Sequence, residues 1–435
     1  MKQPDIKTIP ATLKNSLFDG LAASVMLGFT QEYLTPFLLF LGGAARHVGF
    51  LNAFPNMLAA LLQLKSPEIT EKIKSRKKTV LIFVFLQAVT LLPVAFMAFS
   101  NMRLPWLFIF FIMLFSSFGA IATPAWASMV SDIVPENKRG AYFGWRNLIV
   151  GFNGLAFAFI AGVIIHISQK SNAFWGFSLL FAAAALSRFI SWYFIKRMHE
   201  CEIEQKNTDY FSLFQFISKI KTSNFAKFVL FSALFNFTVY LSAPFFAVFM
   251  LRDLHFGYIT YSVVTLSLAF SVQLTLPRWG RLADRFGNLK VLRTSAPLIG
   301  IVPLLWAFNH HPVFLVCAQI FAGILWSGFN LCALNFLYDT VTPAKRTRCI
   351  AYFNAFNGIA MGIGGLSGGF ILKWLPAILG YKIITLMIIS AILRIAVSLI
   401  LSKPVKEVRS VKKIRGYQLV LRVVGVIPLL DLIES

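Results

Sequence analysis

Acidic residues are scarce in this chain. Seventeen Asp and Glu stand against 41 Lys and Arg, and charged residues make up only 13% of the 435 positions. Soluble domains carry about 25%, so a water-soluble globule is excluded. With 57% hydrophobic residues, lipid must solvate much of the surface. Cysteine is scarce as well. Cys201, Cys317, Cys332 and Cys349 lack metal-type spacing and read as small packing residues. The six histidines (His47, His166, His199, His255, His310, His311) are scattered. A membrane enzyme would need His, Asp or Cys clustered at one depth, so no enzymatic activity, metal or cofactor is expected. No soluble output domain of the kind a sensor carries is evident.

What is abundant is apolar and aromatic, with 46 Phe. The net charge of +24 does not point to nucleic acid, because the basic residues sit in short runs between apolar stretches, as suits anionic lipid. Stretches long enough to cross a bilayer run roughly 17–41, 46–64, 79–100, 105–131, 141–168, 173–196, 225–251, 256–277, 289–309, 312–338, 349–375 and 382–402. The first is too long for a signal-peptide core and reads as span 1. With the N-terminus inside, 33 Lys and Arg fall on the inner side and 6 on the outer. This bias predicts an even number of spans and two cytoplasmic termini, in a bacterial inner membrane.

The chain repeats itself at an offset near 207. Pro36-Phe37 corresponds to Pro244-Phe245, His47 to His255, Asp132 and Arg139 to Asp339 and Arg346, and Arg188 to Arg394. Two similar halves, 1–196 and 225–402, are therefore expected, with substrate bound between them. Residues 197–224 place Tyr210, Phe211, Leu213, Phe214, Ile217 and Ile220 at helical spacing among lysines, which predicts an amphipathic surface helix. Residues 403–435 begin basic and turn apolar, and read as a cytoplasmic surface-docked tail.

The segment Gly280-Arg281-Leu282-Ala283-Asp284-Arg285-Phe286-Gly287-Asn288-Leu289-Lys290, between spans 8 and 9, closely resembles the hallmark loop of the major facilitator superfamily. Its glycines permit a tight turn between packed helices, and Asp284 can cap a helix N-terminus of the opposite half. The first-half counterpart, Pro67 to Lys77, keeps the acid as Glu71 but loses the glycines. Asp132 to Gly140 is also similar to this superfamily, and Asp339 to Arg346 is a looser copy. The resemblance implies an all-α fold of twelve transmembrane helices in two pseudo-symmetric bundles, working by alternating access. Gating positions are expected at Glu71, Asp132, Arg139, Arg146, Gly280, Asp284, Arg285, Gly287, Asp339 and Arg346. Drug/proton antiporters of the superfamily carry a proline-containing glycine motif in span 5, and Gly151-Phe152-Asn153-Gly154-Leu155 lacks it. Asn52 and Asn56 replace the acids that sodium–sugar symporters place in span 2.

Glu32 lies about 15 residues, or roughly 22 Å, into span 1. An ionisable group at that depth is a functional candidate, and Glu32 is the expected coupling residue. The resemblance assigns cavity lining to spans 1, 4, 7 and 10, whose polar residues are Gln31, Glu32, Trp126, Asn236, Tyr240, Gln319, Trp326, Asn330 and Asn335. None is a cation, so a small neutral or cationic organic solute is expected, with Arg146 the one residue that could change this. Asp132 with Arg188, and Asp339 with Arg394, form two symmetric acid–base sets that predict gating salt bridges or snorkelling arginines. A proton is expected as coupling ion, membrane lipid as surroundings, no nucleic acid as partner, and a monomer as the working form. A drug/proton antiporter and a non-transporting sensor are the alternatives.

Overall fold

The computed structural model describes residues 8–134, 139–169, 172–200, 223–341, 343–409, 411–412 and 414–425, with backbone only for 8–9, 139–141 and 343–348. The amphipathic helix expected in the linker lies outside the described residues, as do the side chains of Arg139 and Arg346.

The described chain is helical. In the first half it forms α1 (Thr8–Thr30), α2 (Leu34–Phe40), α3 (Ala45–Ile73), α4 (Arg76–Phe99), α5 (Pro105–Ile133), α6 (Arg139–Ser168) and α7 (Ala173–Lys196). The second half has α8 (Asn224–Tyr240), α9 (Phe245–Val248) running into a π-turn (Phe249–Asp253), α10 (Tyr258–Phe286) and α11 (Asn288–Phe308). It continues through α12 (Pro312–Thr340), α13 (Pro343–Ile371) and α14 (Lys382–Leu401) to a short α15 (Gly416–Val424). Among the described residues ten helical segments are long and apolar enough to cross a membrane. The remaining two of the twelve expected spans are α1–α2, which includes Lys14 and Asp19, and α3, which includes Arg46, Lys65, Glu68, Glu71 and Lys72.

Two compact units result. One comprises Met1–Asn207, Pro244–Val263 and Gly365–Phe370, and the other Thr208–Ala243, Val264–Gly364 and Ile371–Ser435. In the first unit α4 packs on α5 and α7, and α1 on α6 and α7. The second repeats the pattern, with α11 on α12 and α14, and α14 on α8. The sequence repeat is thus a repeat of helix pairing.

Each unit is held by aromatic and small-residue packing, since lipid offers little hydrophobic drive between helices. Phe37 is fully buried, with the rings of Phe108, Phe177 and Phe181 at 5.1, 4.9 and 5.1 Å. Each such pair contributes about 0.5–1.5 kcal/mol beyond its area. Gly49 lies so close to Gly365 that a Cβ there would stand 2.8 Å from the Gly365 carbonyl oxygen. In the second unit Phe228, Phe231, Phe235, Phe329 and Phe336 belong to one buried cluster that also includes Trp279. Outward-facing Phe96, Trp175, Leu179 and Leu186 are exposed, as a lipid-facing surface requires.

Two features of span 1 depart from the sequence expectation. The helix begins at Thr8, nine residues before the apolar run, and it breaks at Gln31–Tyr33 before restarting at Leu34. Glu32 therefore lies in a turn between two helices. By Thr30, α1 has already risen about 33 Å.

Candidate functional site

The early start of α1 places Asp19 eleven residues, about 16 Å, along the helix. Asp19 is only 3% exposed. Its Oδ1 accepts a hydrogen bond from Ser191 Oγ of α7 at 2.6 Å, and its Oδ2 accepts one from the Trp126 indole of α5 at 2.8 Å. The Arg146 guanidinium of α6 lies 3.8 Å from Oδ2. Arg188 of α7 donates through Nη1 to Ser191 Oγ at 3.0 Å and through Nε to Gln87 Oε1 at 2.8 Å. Ser191 thus bridges a cation and an anion.

Arg146 is fixed independently. Its Nε and Nη2 donate to the Ser16 carbonyl at 3.1 and 3.0 Å, and its guanidinium stacks 4.4 Å from the centre of the Trp126 ring. Asp19, Gln87, Trp126, Arg146 and Arg188 line one cavity of about 250 Å³ within the first unit, together with Ser24, Gly119, Thr123 and apolar residues. A buried carboxylate with two hydrogen-bond donors and two guanidiniums close by is a desolvated cluster with one excess positive charge. Adding a proton to Asp19 raises that excess and removes the anion that holds the donors in place.

Of the cavity residues expected from sequence, Trp126 lines this cavity, as does Arg146, expected at a gating position; Asp19, Gln87 and Arg188 line it unforeseen. The expected absence of a cation concerns spans 1, 4, 7 and 10; Arg188 of span 6 lines this cavity from about 12 Å inside the end of α7. Glu32 is half-buried. Its carbonyl accepts from Tyr261 Oη at 2.7 Å, and among the described residues nothing pairs with its carboxyl. Gln31 is exposed.

In the second unit Asn236 is occupied by a buried network. Its amide donates to Asn357 Oδ1 at 2.7 Å, which Ser232 also approaches at 2.9 Å. Trp326 packs on Phe235 and Phe329. Tyr240, Gln319 and Asn335 are partly buried and Asn330 is exposed; none lines the first unit's cavity.

The symmetric acid–base sets do not form. Asp132, in the last turn of α5, pairs with Arg76 at the start of α4. Arg188 instead donates to Ser191 and Gln87. Asp339 pairs with Arg409 at 2.8 Å and accepts from the Asn288 amide at 2.8 Å. Arg394, 3% exposed, donates to Ser390, Ser242 and the Val239 carbonyl. Both copies of the repeated arginine donate to neutral acceptors, but Arg188 is linked through Ser191 to the Asp19 carboxylate, whereas Arg394 meets only hydroxyls and a carbonyl.

In the hallmark loop Gly287 adopts φ +89°, where a side chain would be strained and would also meet Glu407. Glu407 accepts from the Leu289 amide at 2.8 Å, an acid at the start of α11. Asp284 is exposed and lies 3.4 Å from Arg409. Gly280 sits within α10, and Arg285 offers its carbonyl to the Lys412 amide. Glu71 is exposed near the end of α3.

Comparison with known proteins agrees with this fold. The family model described as the Major Facilitator Superfamily matches residues 20–246 and 228–430. An uncharacterized MFS-type transporter, YfiU of Bacillus subtilis (strain 168), is 27% identical over 114 residues, which are 26% of this chain and 21% of that protein. The class H tetracycline resistance protein of Pasteurella multocida is 31% identical over 116 residues, 26% of this chain and 27% of that one. The matched stretch thus spans 21% of one relative's length and 27% of the other's. Among solved structures, the nucleoside transporter NupG aligns with a TM-score of 0.68 at 16% identity, over 91% of this chain and 98% of its own. A D-xylose-proton symporter aligns at 0.68 and 14% identity, over 93% and 98%. With the family model matching nearly the whole length, the chain belongs to the major facilitator superfamily.

Proposed function

We propose that this protein is a proton-coupled secondary carrier of a small polar organic solute, and that Asp19, rather than Glu32, takes up the coupling proton. The observation that carries this reading is the Asp19–Ser191–Arg188 chain opening on the cavity. With Asp19 ionised, its donors are engaged. With Asp19 protonated, Arg188 gains freedom to bind an acceptor group on the solute. Proton and solute then favour each other's binding, which is the condition for coupling.

The excess guanidinium charge favours a neutral or singly anionic solute and disfavours the cationic class that the sequence alone allows. The cavity lies just below the 300–1,000 Å³ usual for drug-sized ligands, in keeping with a small solute. The 33-to-6 bias of Lys and Arg supports an inner-membrane location with both termini in the cytoplasm. Uptake into proteoliposomes across a panel of neutral, monoanionic and cationic solutes, with and without an imposed pH gradient, tests the reading. Accumulation only of cations, or none that depends on the gradient, would sink it.

Efflux is the second reading, favoured by the partial likeness to a tetracycline resistance protein. The absent span 5 proline motif counts against it. Everted vesicles that accumulate the solute on acidification of the lumen would favour efflux.

A further inference from the structure

We propose that the pocket between α15 and the first turns of α11 binds an anionic phospholipid from the leaflet facing the basic end of the protein. The pocket holds about 600 Å³ and lies wholly within the second unit. Its polarity is graded along α11. Lys290, Arg293 and Thr294 stand in the first two turns, and Pro297 and Leu298 follow, joined by Phe321 of α12. Tyr417, Val420 and Leu421 of α15 form the remaining wall. Cations at the membrane face, followed by an apolar channel running inward, match a phospholipid headgroup and its acyl chain.

α15 is anchored so that this wall persists. Leu419 and Val423 are fully buried in the unit's core, and Arg278 donates to the Val423 carbonyl at 2.8 Å. Tyr417, Val420 and Leu421, spaced i, i+3 and i+4, are left on the neighbouring face.

The charge balance points to an anion from outside the chain. Arg293 is held by the carbonyls of Ser402, Lys403 and Val405 at 2.8–3.3 Å, which fixes its charge beside the pocket without neutralising it. Among the described residues no carboxylate pairs with Lys290. The nearby acids are committed elsewhere: Asp339 and Asp284 to Arg409, and Glu407 to the Leu289 amide. The cations select a negatively charged headgroup, and the apolar wall selects a lipid over a free anion.

Thermal unfolding of the full-length protein in detergent micelles tests this, with phosphatidylglycerol, phosphatidylcholine of the same chains, or inorganic phosphate added. Phosphatidylglycerol should raise the melting temperature saturably, and the other two should not. Lys290→Gln should raise the half-effective phosphatidylglycerol concentration about fivefold, the effect of one interfacial cation. Lys290→Arg should behave as wild type, and Leu421→Glu should abolish the response. Equal stabilisation by phosphatidylcholine or by inorganic phosphate would overturn the proposal. So would a half-effective concentration unchanged in both Lys290→Gln and Leu421→Glu.

Discussion

The hydroxyl of Ser191 stands 2.6 Å from Oδ1 of Asp19 and donates to it, while accepting from Arg188 at 3.0 Å. One hydroxyl therefore satisfies a buried anion and a cation together. Ser191→Ala should leave both short of a partner and lower the unfolding free energy by about 1–3 kcal/mol. Thermal unfolding in detergent checks this, and transport should fall in parallel. An unchanged melting temperature with full transport would show that the bridge is idle.

Glu32 makes a contrasting case. Its carboxyl pairs with nothing among the described residues, and its turn is held through the backbone by Tyr261. Glu32→Gln is expected to retain gradient-driven accumulation. Its loss in that variant alone would return the coupling role to Glu32.

The net charge of the cavity sets the preferred solute. Removing one guanidinium by Arg188→Gln should raise KM for a monoanionic solute about ten- to a hundredfold, the worth of one charge-assisted hydrogen bond. A neutral solute of the same size should lose less. Equal losses for the two would mean that Arg188 acts only in packing.

Much of the fold was legible in the sequence. Twelve apolar stretches, the charge bias and the repeat of Pro36-Phe37 at Pro244-Phe245 are direct records of membrane solvation and duplication. The site was less legible. Asp19 reads as a residue of the inner end because the apolar run begins at Leu17, whereas the helix begins at Thr8 within polar sequence. The break at Gln31–Tyr33 has no glycine or proline of its own, so Glu32 reads as mid-helix. The repeat aligns Asp132 with Asp339 and Arg188 with Arg394, but an offset says nothing of depth, and the true partners come from other helices. Residues 70 and 125 apart meet at Arg409 with Asp339 and Asp284, a contact no local pattern announces.

That contact gives a further expectation. The Asp339 side chain is 15% exposed and Asp284 76%, so the Asp339 bond carries most of the clamp. Arg409→Ala should cost about 1–2 kcal/mol. Its hydrogen bond to Asp339 holds the guanidinium above its usual pKa. A raised basic pKa stabilises fully below the unfolded value, so this contribution should stay constant between about pH 6 and pH 9. A wild-type minus variant difference that varies across that range would contradict this.

The central claim is that Asp19 takes up the coupling proton, and one measurement meets it directly. Asp19→Asn protein in proteoliposomes would be compared with wild type for solute accumulation under an inward pH gradient and for solute exchange without one. Accumulation should be abolished while exchange persists, because the amide keeps the cavity's shape but cannot cycle a proton. Gradient-driven accumulation by Asp19→Asn at the wild-type level would contradict the account.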